Sequence, residues 1–411
     1  MQECYLPTGN EWVSLPTLQA RTGALESFSF LHMGYKGLIE QRGGASLPLM
    51  TPFFETEGER ASLQSLTWGR KSDWIPTFCG TAGSLAVEGM LLAPVGERGF
   101  LYQLTVRSTS DKPLSSTFGL EGCWASAWHC VNEDKEIDGA RRCYTSLWND
   151  SLIFDMRCGL PLFAFAPMMD QPCSSTFQET DAGIVYRLAH ACTLEPGEAV
   201  TVTFYWGVGF EEVAAATSAK EMLRQGWQHE LQVTTDWLDA RRWPIPDAQL
   251  ERLYNTNLFF CLFYSAGITL DTEELVLVTS RSPRYYVSAA YWDRDSLLWS
   301  FPTVVDADPA LARRMLDYVF GRQRRNLGVH SRYIDGTVLE PGFELDELMA
   351  PVLALERYVG ATGDRDCLED NAIRSGLTDI LRTLRTKRHR SIALYETFLQ
   401  PTDDVRSYPY L

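Results

Sequence analysis

No stretch of this chain approaches the ~20 consecutive apolar residues that a membrane-spanning helix needs. Its first residues, MQECYLPTGNEWV, lack the basic and apolar regions of a secretory signal. Basic residues are also scarce, with 37 Lys and Arg against 53 Asp and Glu and a net charge of −16. Nucleic acid or an anionic membrane surface would be repelled by that charge, so neither is an expected partner. Histidine is rare, at six residues with no metal-ligand spacing, which leaves no basis for a zinc or iron site. Cysteine is present ten times but never as Cys-x-x-Cys, and several cysteines lie inside apolar runs, as in Leu258-Phe259-Phe260-Cys261-Leu262. That usage points to free thiols in a reducing compartment, with Cys123 and Cys130 able to pair only in an exported version. A soluble, cytoplasmic protein with no metal or organic cofactor and a neutral substrate is the expectation.

What is present divides the 411 residues into halves of different character. Up to residue 210 the apolar pattern alternates, as in Leu101-Tyr102-Gln103-Leu104-Thr105-Val106-Arg107 and Ala199-Val200-Thr201-Val202-Thr203-Phe204-Tyr205. Turn signals such as Pro196-Gly197 punctuate it. Alternating strands with no lasting helical period predict an N-terminal antiparallel β-sandwich over 1–210. Two aromatic clusters stand within it, one around Trp68 and Trp74, the other at Trp124-Ala125-Ser126-Ala127-Trp128-His129. Each reads either as a carbohydrate platform or as sandwich core, the commoner fate of such tryptophans.

From 211 the spacing becomes helical, and Trp243-Pro244-Ile245-Pro246 then stops it, so 211–246 is read as a helical linker. The remainder, 247–411, carries helical segments at about 247–266, 295–306, 308–326, 346–361 and 365–388. Asp308-Pro309 is an N-cap followed by proline at the first helical position.

Before the second of these helices stands Trp292-Asp293-Arg294-Asp295-Ser296, in a stretch that also holds Tyr291, Trp299 and Phe301. Aromatic faces beside carboxylate and guanidinium suit a sugar ring, whose C–H face is apolar and whose rim of hydroxyls needs donors and acceptors together. The motif resembles the Trp-Thr-Arg-Asp-Ser of the glucoamylase family, and more loosely the Gly-Arg-Asp-Thr of amylo-1,6-glucosidases. The order of sandwich, helical linker and helical domain is similar to that of bacterial glucoamylase-like enzymes. The resemblance implies the first part of an (α/α)6 toroid, in which inner helices run parallel and the loops before them line one pocket.

Two further polar stretches fall in matching places, one running from Gly336 to Glu347 before the fourth helix and one from Tyr395 to Ser407 before the place of a sixth. By the same resemblance Arg294 and Asp295 anchor the sugar of the first subsite and Trp292 offers a stacking face. Asp346 and Glu347 line the pocket, or Asp346 caps its helix. His330, Arg332 and Tyr333, in the loop before them, either reach the pocket or, as is commoner, stay at the surface, and Gly336 and Gly342 are read as turn glycines.

The general acid of glucoamylases and trehalases lies before helix six, where this chain has Thr402-Asp403-Asp404-Val405-Arg406-Ser407. Asp403 is the first choice, Asp404 the second, and Glu396 stays open because glucoamylases use Glu. A helix N-terminus and Arg406 would lower the pKa of such an acid, whereas an adjacent carboxylate and aromatic burial would raise it. Inverting hydrolysis also needs a base, with the two carboxyl groups roughly 6.5–9.5 Å apart. The family places that base before the last inner helix, and with about five helices the chain has no candidate of this class. We therefore expect a fragment of an enzyme of roughly seven hundred residues.

The function expected is an exo-acting, inverting glycoside hydrolase on a neutral gluco-oligosaccharide. The alternatives are a related disaccharide phosphorolytic enzyme and a non-catalytic carbohydrate-binding protein on the same fold.

Overall fold

The computed structural model describes residues 4–147 and 149–397, and the chain divides into two compact units. The first takes in Met1–Phe30, Ile39–His129 and Asp134–Ala240; the second takes in Leu31–Leu38, Cys130–Glu133 and Arg241–Leu411.

The alternating segments of the first half form antiparallel sheets. One has eight strands, in the order Ala140–Thr145, Leu152–Cys158, Leu160–Met169, Ala199–Gly209, Gly99–Ser108, Leu85–Leu92, Ile75–Ala82 and Leu63–Lys71. A five-stranded sheet is built around Leu114–Trp124 and Gly183–Leu194, and a six-stranded sheet includes Ser27–His32, Gly37–Arg42 and Ser126–Val131. Register places like beside like: Leu101 faces Tyr205 and Leu104 faces Val202 across the central pair of the large sheet.

Aromatic rings fill the space between the sheets. Phe154 stacks on Phe165 at 4.7 Å, and Trp124, Tyr186 and Phe28 meet that pair at 5.1, 5.1 and 5.4 Å in edge-on contacts, the preferred geometry for rings with negative faces and positive edges. Trp74 and Trp124 are therefore core residues, each with its indole N–H satisfied, by the Gly9 carbonyl and by Gln41. Trp68 packs on Phe78 and donates to the Ala20 carbonyl, while Trp128 lies under the Arg42 guanidinium.

Helix α1 (Glu212–Gln225) and helix α2 (Trp227–Asp239) count with this first unit. The small-residue face of α1, with Ala214, Ala215 and Ala219, explains how closely it lies on the large sheet. A Cβ at Gly207 would fall 2.1 Å from the Ala215 carbonyl oxygen, and one at Gly209 would fall 2.5 Å from the Ala214 Cβ. Glycine in a strand interior here marks the approach of another backbone.

On α2, Glu230 is buried and its Oε1 has no hydrogen-bond partner among the described residues. Burial, reinforced by the nearby Glu97 carboxylate, pushes its pKa up to about 7. A carboxyl raised on folding contributes fully below its unfolded pKa and destabilises the fold as pH rises through the folded value. Glu230→Gln removes that charge at constant shape. We expect it to gain about 1–3 kcal/mol at pH 8 and little at pH 4, read from melting curves at the two pH values.

The second unit is helical: α3 (Ala248–Tyr264), α4 (Phe301–Ala307), α5 (Pro309–Gly321), α6 (Leu345–Thr362) and α7 (Asn371–Lys387). Asp247 and Asp308 cap α3 and α5 with their carboxylates, and Pro309 opens α5, where a missing N–H costs nothing. A left-handed Gly363 ends α6.

Departures from the sequence-based boundaries have local causes. The segment read as a helix over 308–326 stops at Gly321 and goes on as a tighter 3-10 turn, Gln323–Asn326. The segment over 365–388 is likewise divided into a 3-10 turn, Asp366–Glu369, and α7, whose start Asp370 caps. Two short hairpins fall between the helices, Ala266–Ile268 with Leu275–Leu277 and Val329–Arg332 with Val338–Phe343. Among the described residues no helix is long and apolar enough to cross a membrane, and all ten cysteines are free thiols.

Candidate active site

The motif at 292–296 opens not as an α-helix but as a π-helix, Arg294–Ser300, in which the Phe301 amide reaches back five residues to the Ser296 carbonyl. Pro302, two residues after Ser300, has no N–H to continue an α-helical ladder, and the wider turn precedes it. Such turns are rare and recur at functional sites.

This turn and the first turn of α6 hold each other. Both oxygens of Glu347 accept from the backbone, from the Asp293 N–H at 2.6 Å and the Arg294 N–H at 3.3 Å. Arg294 extends to the same helix end, with its Nη1 2.9 Å from Asp346 Oδ2 and 3.3 Å from Glu344 Oε2. Asp293 accepts from the Tyr291 hydroxyl and from Arg332 Nη2, and Arg332 also lies 3.7 Å from Glu347. A donor bond of 3.2 Å from Arg332 Nη1 to the Gln323 carbonyl ties the network to the 3-10 turn after α5. His330, from the same hairpin as Arg332, stands 3.1 Å from Glu344 and meets the Trp292 indole edge-on at 5.5 Å.

Arg332, for which the surface was the commoner reading, is thus completely buried beside the equally buried Asp293 and Glu347. A lone buried guanidinium would be prohibitive, and carboxylates on either side make it tenable. His330 is also largely shielded, with 14% of its side chain exposed.

Burial works against each charge, and the balance differs by residue. Glu347 is held well above the usual carboxylate range by desolvation and by the Asp293 charge, against the opposing pull of Arg332 and Arg294. Desolvation disfavours the Arg294 charge, but the bond to Asp346 and the charges of Glu347 and Glu344 outweigh it and raise its pKa. Acidic side chains outnumber guanidiniums here: Asp293, Asp295, Glu344, Asp346 and the raised Glu347 surround Arg294 and Arg332, with His330 beside Glu344.

Asp295 faces elsewhere. It lines a cleft of about 360 Å³ together with Ser280, Arg284, Tyr285 and Trp299. Trp299 is 60% exposed and Tyr285 37% exposed. Trp292, the expected stacking face, is buried against His330, and the open aromatic surface beside Asp295 belongs to Trp299. Asp346 remains partly open, with 15% of its side chain exposed, and is a partner of Arg294; Glu347 is fully enclosed. The structure brings Arg294, Asp346 and Glu347 together directly, with Asp295 linked through Arg294 at 3.8 Å and Trp292 through His330, which stands beside Glu344.

The third polar stretch reaches this place in part. Thr397 is buried and its hydroxyl accepts from the Leu345 N–H at 3.3 Å, at the opening of α6. Glu396 is exposed and its own N–H donates to the Lys387 carbonyl. Asp403 and Asp404 lie outside the described residues.

Sequence reasoning missed Asp293, Arg332 and Tyr291 as members of the network. One signal was available for the hairpin that delivers Arg332: Asp335-Gly336 is a turn pair, and Asp335 accepts from both the N–H and the hydroxyl of Thr337 while Gly336 adopts φ +81°.

No protein-family model matches the chain, and no curated protein matches its sequence. Solved structures do share its fold. A candidate kojibiose phosphorylase from the human microbiome superposes with a TM-score of 0.61 at 11% identity, covering 95% of this chain and 58% of that one. A bacterial glucoamylase complexed with acarbose superposes with a TM-score of 0.55 at 11% identity, covering 94% of this chain and 59% of that one. The chain therefore shares the fold of these two neighbours and spans less than two thirds of the length of either.

Proposed function

We propose that this protein is an exo-acting, inverting glycoside hydrolase acting on neutral gluco-oligosaccharides. The observation that carries the reading is the placement of Asp295 in a cleft walled by Trp299 and Tyr285, on a turn whose backbone is fixed from behind by Glu347. Trp299 offers an aromatic face to the C–H side of a sugar, and Asp295, Arg284 and Ser280 offer polar groups to its hydroxyls. Arg294 and Asp346 are assigned to the rim of the same subsite, Trp292 to its packed wall, and Glu347 to positioning.

Hydrolysis of a glycosidic bond passes through an oxocarbenium-like state, and a surplus of carboxylate favours positive charge developing nearby. It disfavours an attacking phosphate anion, which places hydrolysis ahead of phosphorolysis. Asp403 is assigned as the general acid, with Asp404 and Glu396 as the alternatives. The partner implied is an oligosaccharide, the place of action the cytoplasm, and the helical unit the opening part of an (α/α)6 toroid.

Incubation with maltose, trehalose and isomaltose, with and without phosphate, tests the reading by product. Hydrolysis releases glucose alone, and the first-formed anomer seen by NMR is opposite to that of the substrate. A sugar phosphate that appears only with added phosphate would replace hydrolysis by phosphorolysis, a reaction named for one structural neighbour. Sugar binding without turnover would reduce the protein to a lectin-like role.

A further inference from the structure

Away from the Asp295 cleft, two clefts of about 640 and 670 Å³ flank the end of α5 and share Gly321 and Arg325 in their walls, forming one groove. Its charge runs against that of the chain. Arg314, Arg322 and Arg325 line the first cleft; Arg324, Arg325 and Arg382 line the second. The opposing carboxylates are Glu274, Asp317, Asp335 and Asp379, and each is already engaged. Arg322 pairs with Glu274, Arg324 and Arg382 share Asp379, Arg313 takes Asp317 at 3.0 Å, and Lys36 takes Asp335 at 3.1 Å.

Arg314 and Arg325 are left over, and among the described residues neither has an ion-pair partner. Arg325 is exposed and passes close to the hairpin turn. Its Cδ would stand 3.4 Å from a Cβ at Gly336, so the absence of that Cβ leaves room for the stem beside the turn. Leu275 in one cleft and Leu327 in the other give the groove apolar wall as well as charge.

We propose that this groove binds a phosphomonoester, with Arg314 and Arg325 taking the phosphate and the remaining volume taking its organic body. A guanidinium fork matches phosphate geometry with two parallel hydrogen bonds, which an ammonium cannot reproduce. In a chain of net charge −16, a local surplus of unmatched arginine concentrates anions where the rest of the surface repels them. The site shares no lining residue with the Asp295 cleft, so the two stand or fall separately.

Calorimetric titration of the full chain with inorganic phosphate, with glucose 6-phosphate and with glucose tests it. Saturable binding of at least one of the two phosphates is expected, weakened about tenfold (~1.4 kcal/mol) by Arg314→Ala and by Arg325→Ala. Arg325→Lys, which keeps the charge but not the fork, should recover only part of that loss. Tighter binding of glucose 6-phosphate than of inorganic phosphate is the expected result; equal binding overturns the ester and leaves a site for the free anion. No saturable binding of either phosphate overturns the proposal. So does affinity unchanged in the Arg314→Ala/Arg325→Ala protein with an unaltered melting temperature, because the anion is then held elsewhere.

Discussion

Replacing Arg332 by alanine is expected to destabilise the helical unit by about 3–5 kcal/mol, the largest stability loss foreseen for a single substitution in this chain. The guanidinium is fully buried, lies over the Tyr291 ring at 5.0 Å, and stands between Asp293, Glu347 and the Gln323 carbonyl. Removing it leaves the buried Asp293 carboxylate without its counter-charge and the Gln323 carbonyl without this donor, and the cost comes chiefly from those groups. Lysine should not restore stability, since one ammonium cannot face the Gln323 carbonyl and Asp293 with separate arms. The triple change Arg332→Met, Asp293→Asn, Glu347→Gln removes the charges together and should cost much less than Arg332→Ala. Denaturant unfolding of these proteins decides the matter. A loss below ~1 kcal/mol for Arg332→Ala would mean that water reaches the network and screens it as at a surface.

How far this arrangement could be read in advance depended on the range of the interactions involved. Strands announced themselves through alternation and turns, and Asp308 through its place before Pro309, because those signals lie within a few residues. The motif at 292–296 was legible as composition but not as geometry. Residues two apart on a helix point to nearly opposite sides, about 200° around at 3.6 residues per turn, so spacing alone could not say which carboxylate turns inward. In the structure Asp293 goes in to meet Arg332 and Asp295 goes out to the cleft. Arg332 carried two readings, pocket or surface, for the same reason: in sequence it sits in a loop, and the partners that make its burial tolerable lie well away from it along the chain, at Asp293 and Glu347. The aromatic clusters around Trp74 and Trp124 carried two readings until packing between sheets assigned both residues to the core.

The neighbouring carboxylates therefore give the sharpest functional test, because the same substitution should act on different quantities at the two positions. Asp295→Asn removes a charge that faces the cleft and lies 3.8 Å from Arg294 Nε. Loss of a charge-assisted hydrogen bond to a sugar hydroxyl should lower kcat/KM roughly 10- to 100-fold, with a smaller loss of stability than Asp293→Asn causes. Asp293→Asn withdraws the counter-charge from Arg332 and should cost several kcal/mol of stability, while molecules that stay folded keep the cleft residues in place. Trp299→Ala supplies the third arm: an indole 60% exposed contributes little to folding, so a rise in KM without a change in stability identifies it as a stacking face. Should Asp295→Asn leave turnover intact while Asp293→Asn abolishes it in folded protein, the reacting sugar sits against the inner carboxylates rather than in the cleft. The subsite would then have to open between α6 and the π turn, where Arg294 and Asp346 are now in contact.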